Sequence, residues 1–248
     1  AGMYLDQNQS PVIATWWAPG TGTNNYRRQY MLAFRDSNGF WQTRQISNRT
    51  NDPVGTKYNE SFVRNLGRPV VVCDTAGRLI VLYRDNSGSN GLTIVHSLPY
   101  AIDPQRTNWT TIDLTTANLG NYEPVIDEAR WELDNHLHIV YQPSAGEGYT
   151  PPANTAAQIG VIEWNAAAYF AHRPTLQLAI NNATNAVLTF NSQLGWGYRL
   201  QSSPNLTNWN TITTLAGISG QMQYIQTNGI NGDRRYWRLQ SQEGGFGP

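Results

Sequence analysis

The chain has 248 residues, of which 40% are hydrophobic and only 14% are charged. Its 17 Lys and Arg residues balance its 17 Asp and Glu residues, so the formal net charge is zero. This apolar content excludes a disordered chain, and the balanced charge gives no support for binding to nucleic acid or to an anionic membrane. No apolar run approaches the ~20 residues that a membrane-spanning helix requires.

The first two thirds of the chain repeat one strand pattern. Short β-branched and aromatic runs alternate with Gly, Pro, Asn and Asp, and no long segment has helical periodicity. The period is near ~60 residues, which is typical of four-stranded propeller blades. We place the repeats at residues 1–52, 63–119 and 121–170. The third repeat shows three clear strands, near residues 125–126, 137–141 and 159–162.

Three blades are too few to close a ring that ordinarily has about four to eight. The sequence therefore predicts a partial β-propeller over residues 1–172. The chain opens abruptly at Ala1, within a predicted blade and without a signal peptide, as expected for a processed or cut N-terminus. We expect the missing propeller half, or other copies of the chain, to cover the open blade faces.

The pattern changes at residue 173. Six short alternating strands are predicted, near residues 175–180, 186–190, 198–202, 211–213, 222–225 and 236–239. Turn-forming Asn, Gly and Asp residues separate them. The sequence predicts an immunoglobulin-like or fibronectin-like β-sandwich over residues 173–248, with a flexible Gly-rich tail. The fold class expected for the whole chain is all-β.

Several segments occur in an order that resembles a known repeat. They are Tyr30, Trp41-Gln42-Thr43-Arg44-Gln45-Ile46, Gly55-Thr56-Lys57, Arg68-Pro69, Tyr122-Glu123-Pro124 and Leu137-His138-Ile139-Val140-Tyr141. This set is similar to the bacterial-neuraminidase-type repeat propellers that include the ulvan lyases. The C-terminal run Tyr198-Arg199-Leu200-Gln201-Ser202 resembles a small module appended to secreted enzymes of environmental bacteria. Secretion to the extracellular space or cell surface is therefore expected.

The resemblance implies polysaccharide lyase chemistry. Ulvan lyases cleave uronate-containing polysaccharide by β-elimination, in which a cation neutralises the carboxylate and a base removes the neighbouring C5 proton. Tyr30 and Arg49 fall where the family's acid/base tyrosine and carboxylate-neutralising arginine are expected. Arg68, Trp17 and Lys57 are the candidate substrate-binding residues.

Each of these residues also has a purely structural interpretation. A tyrosine that begins an inner strand usually packs, and Arg49 lies next to a turn. Trp16 and Trp17 are adjacent, so on a strand one of them points outward, where it can stack on a sugar. Arg84 is expected in a turn or an internal ion pair with Asp85.

The histidines leave the enzymatic interpretation incomplete. The family's catalytic histidines precede the region that matches, and none of the four histidines here occupies an equivalent place. His136 and His138 alternate along one predicted strand, but no Cys or Asp cluster completes a metal set, so we predict neither a metal nor a cofactor.

Two functions remain open. The chain is either a polysaccharide lyase once the missing blades complete it, or a non-catalytic glycan-binding or structural subunit of an extracellular assembly.

Overall fold

The computed structural model describes residues 1–19, 28–49, 66–85, 91–115, 117, 119, 123–141, 159–181, 185–227, 235–243 and 245. Within these residues the protein is all-β, as predicted, with five small antiparallel sheets of three or four strands and two short helices. Neither helix is long and apolar enough to cross a membrane. The chain divides into two compact units, residues 1–167 and 168–248. The predicted domain boundary after residue 172 stays a prediction.

The first two sheets share one construction, in which four strands follow one another in chain order. Sheet 1 contains β1 (Gly2–Leu5), β2 (Pro11–Trp17), β3 (Gln29–Arg35) and β4 (Trp41–Gln45). Sheet 2 contains β5 (Val70–Cys73), β6 (Leu79–Asp85), β7 (Gly91–Ser97) and β8 (Trp109–Thr115). These strands lie in the first two predicted repeats, and the β-branched and aromatic residues that predicted them fill half of their positions.

Aspartates close equivalent turns in both sheets. Asp6, between β1 and β2, accepts the backbone N–H groups two and four residues further along at 2.8 and 2.9 Å. Asp74, between β5 and β6, accepts the same two groups at 2.9 and 2.8 Å. Asp36, between β3 and β4, repeats the pattern at 2.9 and 3.0 Å. All three carboxylates belong to buried residues, so each turn satisfies its own backbone donors without water.

Sheets 1 and 2 share one buried apolar cluster. Its members are Val12, Ala14, Tyr30, Leu32, Phe34, Ile46, Leu66, Val71, Cys73, Leu79, Val81, Tyr83 and Val95. Every residue of β7 is buried, so sheet 2 is covered on both faces. A strand covered on both faces is rich in apolar residues, and β7 contains Leu92, Ile94 and Val95 together with the buried polar Thr93, His96 and Ser97.

Sheet 3 is the smallest sheet of the first unit, and a short helix lies between two of its strands in the chain. It contains β9 (Val125–Ile126), β10 (His136–Tyr141) and β11 (Gly160–Asn165), in the order β11-β10-β9. The helix α1 (Glu128–Asp134) precedes β10. Asp127 caps its N-terminus by accepting the Arg130 N–H, and Asn135 ends it in the left-handed conformation at φ 55°. The three strands agree with the third predicted repeat.

The second unit begins within α2 (Ala166–Phe170) and contains all six predicted C-terminal strands. Sheet 4 contains β12 (Leu176–Asn181), β13 (Asn185–Ser192) and β16 (Gly220–Gln226). Sheet 5 contains β14 (Trp196–Ser203), β15 (Asn210–Ala216) and β17 (Tyr236–Glu243). The buried Phe190 and Tyr198 pack with ring centres 5.0 Å apart. The Tyr198 hydroxyl accepts the Gln193 N–H at 2.8 Å and lies 2.8 Å from His172 Nε2.

Acidification is expected to destabilise the protein through Asp103, which organises the connection from β7 to β8. Its Oδ2 accepts the N–H groups of Thr107 and Asn108 at 2.7 and 2.8 Å. Burial alone would raise the pKa of Asp103, but these hydrogen bonds outweigh it and hold the pKa below its usual 3.8. A carboxyl whose pKa is lower in the folded than in the unfolded chain contributes stability above the unfolded pKa. That contribution is lost as the pH falls through the folded value.

We therefore expect Asp103→Asn to lower the free energy of unfolding by about 1–2 kcal/mol at neutral pH. The difference from the wild type should shrink as the pH falls below about 4, because this carboxyl is protonated in the unfolded chain at a higher pH than in the folded chain. Urea denaturation at both pH values measures it, with the exposed Glu128→Gln as control. A difference that does not change with pH would show that the Asp103 charge contributes nothing.

Candidate functional site

Most of the predicted site residues lie at one end of sheets 1 and 2. Trp17 ends β2, Tyr30 is near the start of β3, and Arg49 follows β4. Arg68 precedes β5, and Arg84 is near the end of β6. These five chain segments therefore lie at the same end of the two sheets, because alternate strands of a meander run in opposite directions. Lys57, the remaining predicted substrate-binding residue, lies outside the described residues.

Tyr30 connects the two sheets. Its side chain is fully buried, and its ring stacks on Tyr83 with centres 4.0 Å apart and an interplanar angle of 23°. Its hydroxyl lies 2.8 Å from the Arg84 carbonyl oxygen and 3.2 Å from that of Gly67, and it donates to both. In this geometry Tyr30 packs and bonds to backbone, which is the structural alternative described above. Its catalytic role stays a prediction.

Arg49 lies beside Tyr30 and is held by its backbone. The residue is 1% exposed, and its guanidinium carbon is 5.9 Å from the centre of the Tyr30 ring. The Gln29 amide accepts the Arg49 N–H at 2.8 Å and donates to the Arg49 carbonyl at 3.0 Å. Ser47 Oγ donates to the same Gln29 oxygen at 2.8 Å. Gln29 thus orients Arg49, a role that the sequence did not reveal because no motif marks a lone glutamine.

Arg84 adds a second buried guanidinium. It lies within β6, opposite Leu92, so the expectation that it sits in a turn is wrong. The side chain of Asp85, its expected ionic partner, lies outside the described residues. Burial lowers the pKa of Arg84, Tyr30 and Glu123 act to raise it, and the nearby charge of Arg49 lowers it further. Two cations therefore lie close enough to repel each other.

Arg68 is the accessible cation of the group. Its side chain is 77% exposed, and its Nε lies 3.4 Å from Glu123 Oε2. The Arg68 N–H donates to Glu123 Oε1 at 3.3 Å. An ion pair this exposed to water contributes little to stability, so an incoming anion can replace Glu123 at small cost.

Trp16 is the more exposed of the two adjacent indoles. Trp16 is 38% exposed, whereas Trp17, the predicted binding residue, is half-buried and lies opposite Gln29. Trp16 lies directly opposite Tyr30, on the same face of sheet 1, and the Arg28 guanidinium carbon is 5.0 Å from its ring centre. Trp16 is exposed although it shares a face with buried residues, so alternation along the strand did not predict which indole solvent reaches. The exposed indole offers an apolar face to a sugar ring, and the arginines offer bidentate donors to a carboxylate.

Comparison with known proteins identifies no family for this chain. No family model matches the chain, and no curated protein matches it. The fold and the site together define an all-β protein built of several small antiparallel sheets, with aromatic and arginine side chains gathered at one strand end.

Proposed function

We propose that this protein is an extracellular glycan-binding protein that takes up a uronate-containing polysaccharide at the strand end where solvent reaches Trp16, Arg28 and Arg68, and where Arg49 and Arg84 are buried. The observation that carries the proposal is the exposed Trp16 with Arg28 beside its ring, at the strand end where the Arg68 side chain is 77% exposed. Sugar rings present C–H groups to an aromatic face, and uronates add a carboxylate that guanidinium groups bind.

The proposed architecture places this site on a partial β-propeller that is followed by a β-sandwich. Support comes from the two four-stranded sheets with identical strand order and equivalent aspartate turns, which share one core. The two three-stranded sheets of the second unit, with Phe190 and Tyr198 in contact, support the sandwich. In this proposal, further blades from the rest of a precursor or from other copies of the chain complete the propeller.

A lyase is the second candidate function, and the proximity of Arg49 to Tyr30 favours it. That pair would supply the cation and the proton-transferring hydroxyl of a β-elimination. However, the Tyr30 hydroxyl would have to leave two backbone carbonyls before it could reach a C5 proton. The burial of Tyr30 therefore supports binding over cleavage. Ultraviolet absorbance of the unsaturated uronate product, measured with ulvan and related glycans, distinguishes the two, because binding without product excludes cleavage by this chain.

Trp16→Ala is expected to weaken polysaccharide binding roughly tenfold, the equivalent of about 1.4 kcal/mol. The change removes the exposed indole and the surface on which Arg28 lies. Isothermal titration calorimetry with the uronate polysaccharide, and with a neutral polysaccharide as comparison, measures the effect. The neutral polymer should bind more weakly to the wild type, because it offers no carboxylate to the arginines.

Trp41→Ala is the matched control. Trp41 is 50% exposed and has the Arg35 guanidinium carbon 5.4 Å from its ring centre, so it reproduces the Trp–Arg pair. Arg35 and Trp41 lie opposite each other where β3 ends and β4 begins, away from Tyr30. Equal losses in both variants, or no loss in Trp16→Ala, would contradict the proposed site.

A further inference from the structure

Two histidines and a glutamate lie on one face of sheet 3. His136 and His138 are two residues apart on β10, and side chains at that spacing share a face of a strand. Glu163 of β11 lies directly opposite His138 in the antiparallel register. Directly opposed residues project to the same face of a sheet. The register therefore brings a carboxylate to the histidine pair from 25 residues further along the chain.

The three side chains are close enough to share one ion. One ligand atom from each lies within 4.8 Å of the other two, and the imidazole rings meet edge to face with centres 4.8 Å apart. Zinc bonds of about 2.0–2.2 Å place two ligand atoms of a tetrahedral site about 3.3 Å apart. Side-chain rotation covers the remaining difference of about 1.5 Å. His136 and His138 are half-buried and Glu163 is exposed, so solvent reaches the site.

We propose that His136, His138 and Glu163 form a binding site for one divalent transition-metal ion, with Zn²⁺ the best match. Two imidazoles and one carboxylate suit zinc and its neighbours in the first transition row, whereas Ca²⁺ and Mg²⁺ prefer oxygen ligands alone. Three protein ligands leave a fourth tetrahedral position for water. The ion joins β10 to β11, so binding to the folded chain stabilises this strand pair. The site is independent of the proposed glycan-binding site.

The histidine pair is visible in the sequence, but its third ligand is not. Sequence spacing alone predicted no metal, because no Cys or Asp cluster completes a ligand set with His136 and His138. The strand pairing supplies Glu163, whose partner across the sheet is set by the register of β10 with β11. The prediction of no metal considered residues close in sequence, and strand pairing adds a ligand that such spacing does not display.

Calorimetry on the full chain, without an affinity tag and after removal of metal by a chelator, tests the proposal. Titration with zinc chloride is expected to show one ion per chain with micromolar or tighter affinity. Cobalt chloride should give the visible absorption bands of a four-coordinate ion. Added zinc should also raise the Tm, because it binds the folded chain. Zinc uptake only at millimolar concentration, or equally tight uptake of Mg²⁺ or Ca²⁺, would overturn the assignment.

Two variants localise the ion, and a third serves as control. His138→Gln and Glu163→Gln each remove a ligand, and each should weaken zinc binding at least roughly tenfold, because even the loss of outer partners costs that much. Both should also reduce the rise in Tm at a given zinc concentration. Glu128→Gln, another exposed acid of the same unit, should bind zinc like the wild type. Circular dichroism verifies that each variant is folded, and unchanged affinity in both ligand variants would refute the site.

Discussion

Trp131→Ala is expected to lower the free energy of unfolding of the first unit by about 3–5 kcal/mol. Trp131 is the buried residue of α1, with 0% of its surface exposed. Its indole N–H donates to the Cys73 carbonyl at 3.2 Å, so it fixes the helix to the end of β5. The substitution creates a large cavity and leaves that carbonyl without its partner. Urea denaturation monitored by circular dichroism measures the loss.

Two further substitutions separate packing from a general effect on the helix. Trp131→Phe keeps an aromatic ring but removes the N–H donor, and it should cost less than Trp131→Ala. Leu133→Ala changes a residue of the same helix that is 74% exposed, and it should cost less than about 0.5 kcal/mol. If Leu133→Ala destabilised the protein as much as Trp131→Ala, the docking of α1 through Trp131 would be refuted.

Arg106→Ala is expected to destabilise the first unit by about 3–5 kcal/mol, comparable to breaking a buried ion pair. The Arg106 side chain is fully buried and donates to the Gly77 carbonyl at 2.7 Å. It also donates to Ser97 Oγ and Gln7 Oε1, each at 3.2 Å. Gln7 belongs to the first turn of sheet 1, and Gly77 and Ser97 belong to sheet 2. Alanine leaves these buried acceptors without their donor, which costs far more than losing an exposed charge.

Arg106→Lys should also destabilise the protein, although less than Arg106→Ala. Burial lowers the pKa of this guanidinium, and the nearby acidic groups, among them Asp6 and Asp103, act in the opposite direction. Arg106→Lys keeps a charge but cannot reproduce the planar fork, so we expect an intermediate loss in urea denaturation. Arg130→Ala, which removes an exposed pair with Asp134 at 2.7 Å, should cost less than about 0.5 kcal/mol. Equal losses at positions 106 and 130 would show that burial of Arg106 has no consequence.

The strands of this protein follow from local sequence. Alternation of β-branched and aromatic residues, interrupted by Gly, Pro, Asn and Asp, predicted the all-β class and the six strands of residues 173–248. The turns at Asp6 and Asp74 are equally local, because each carboxylate accepts from donors two and four residues away. Interactions of such short range depend on neighbours in the chain, which a sequence displays directly.

The faces and partners of those strands depend on tertiary structure. Sequence resemblance predicted Tyr30 as an acid/base tyrosine, whereas in the structure sheet 2 covers it and the carbonyls of Gly67 and Arg84 accept from its hydroxyl. Trp16 is 38% exposed although it lies opposite the buried Tyr30, so alternation along β2 does not predict its exposure. Glu163 reaches His138 only through the register of two strands. Composition and spacing thus determine where strands occur. Their pairing and the packing of one sheet on another decide which side chains meet, because those contacts join residues far apart in the chain.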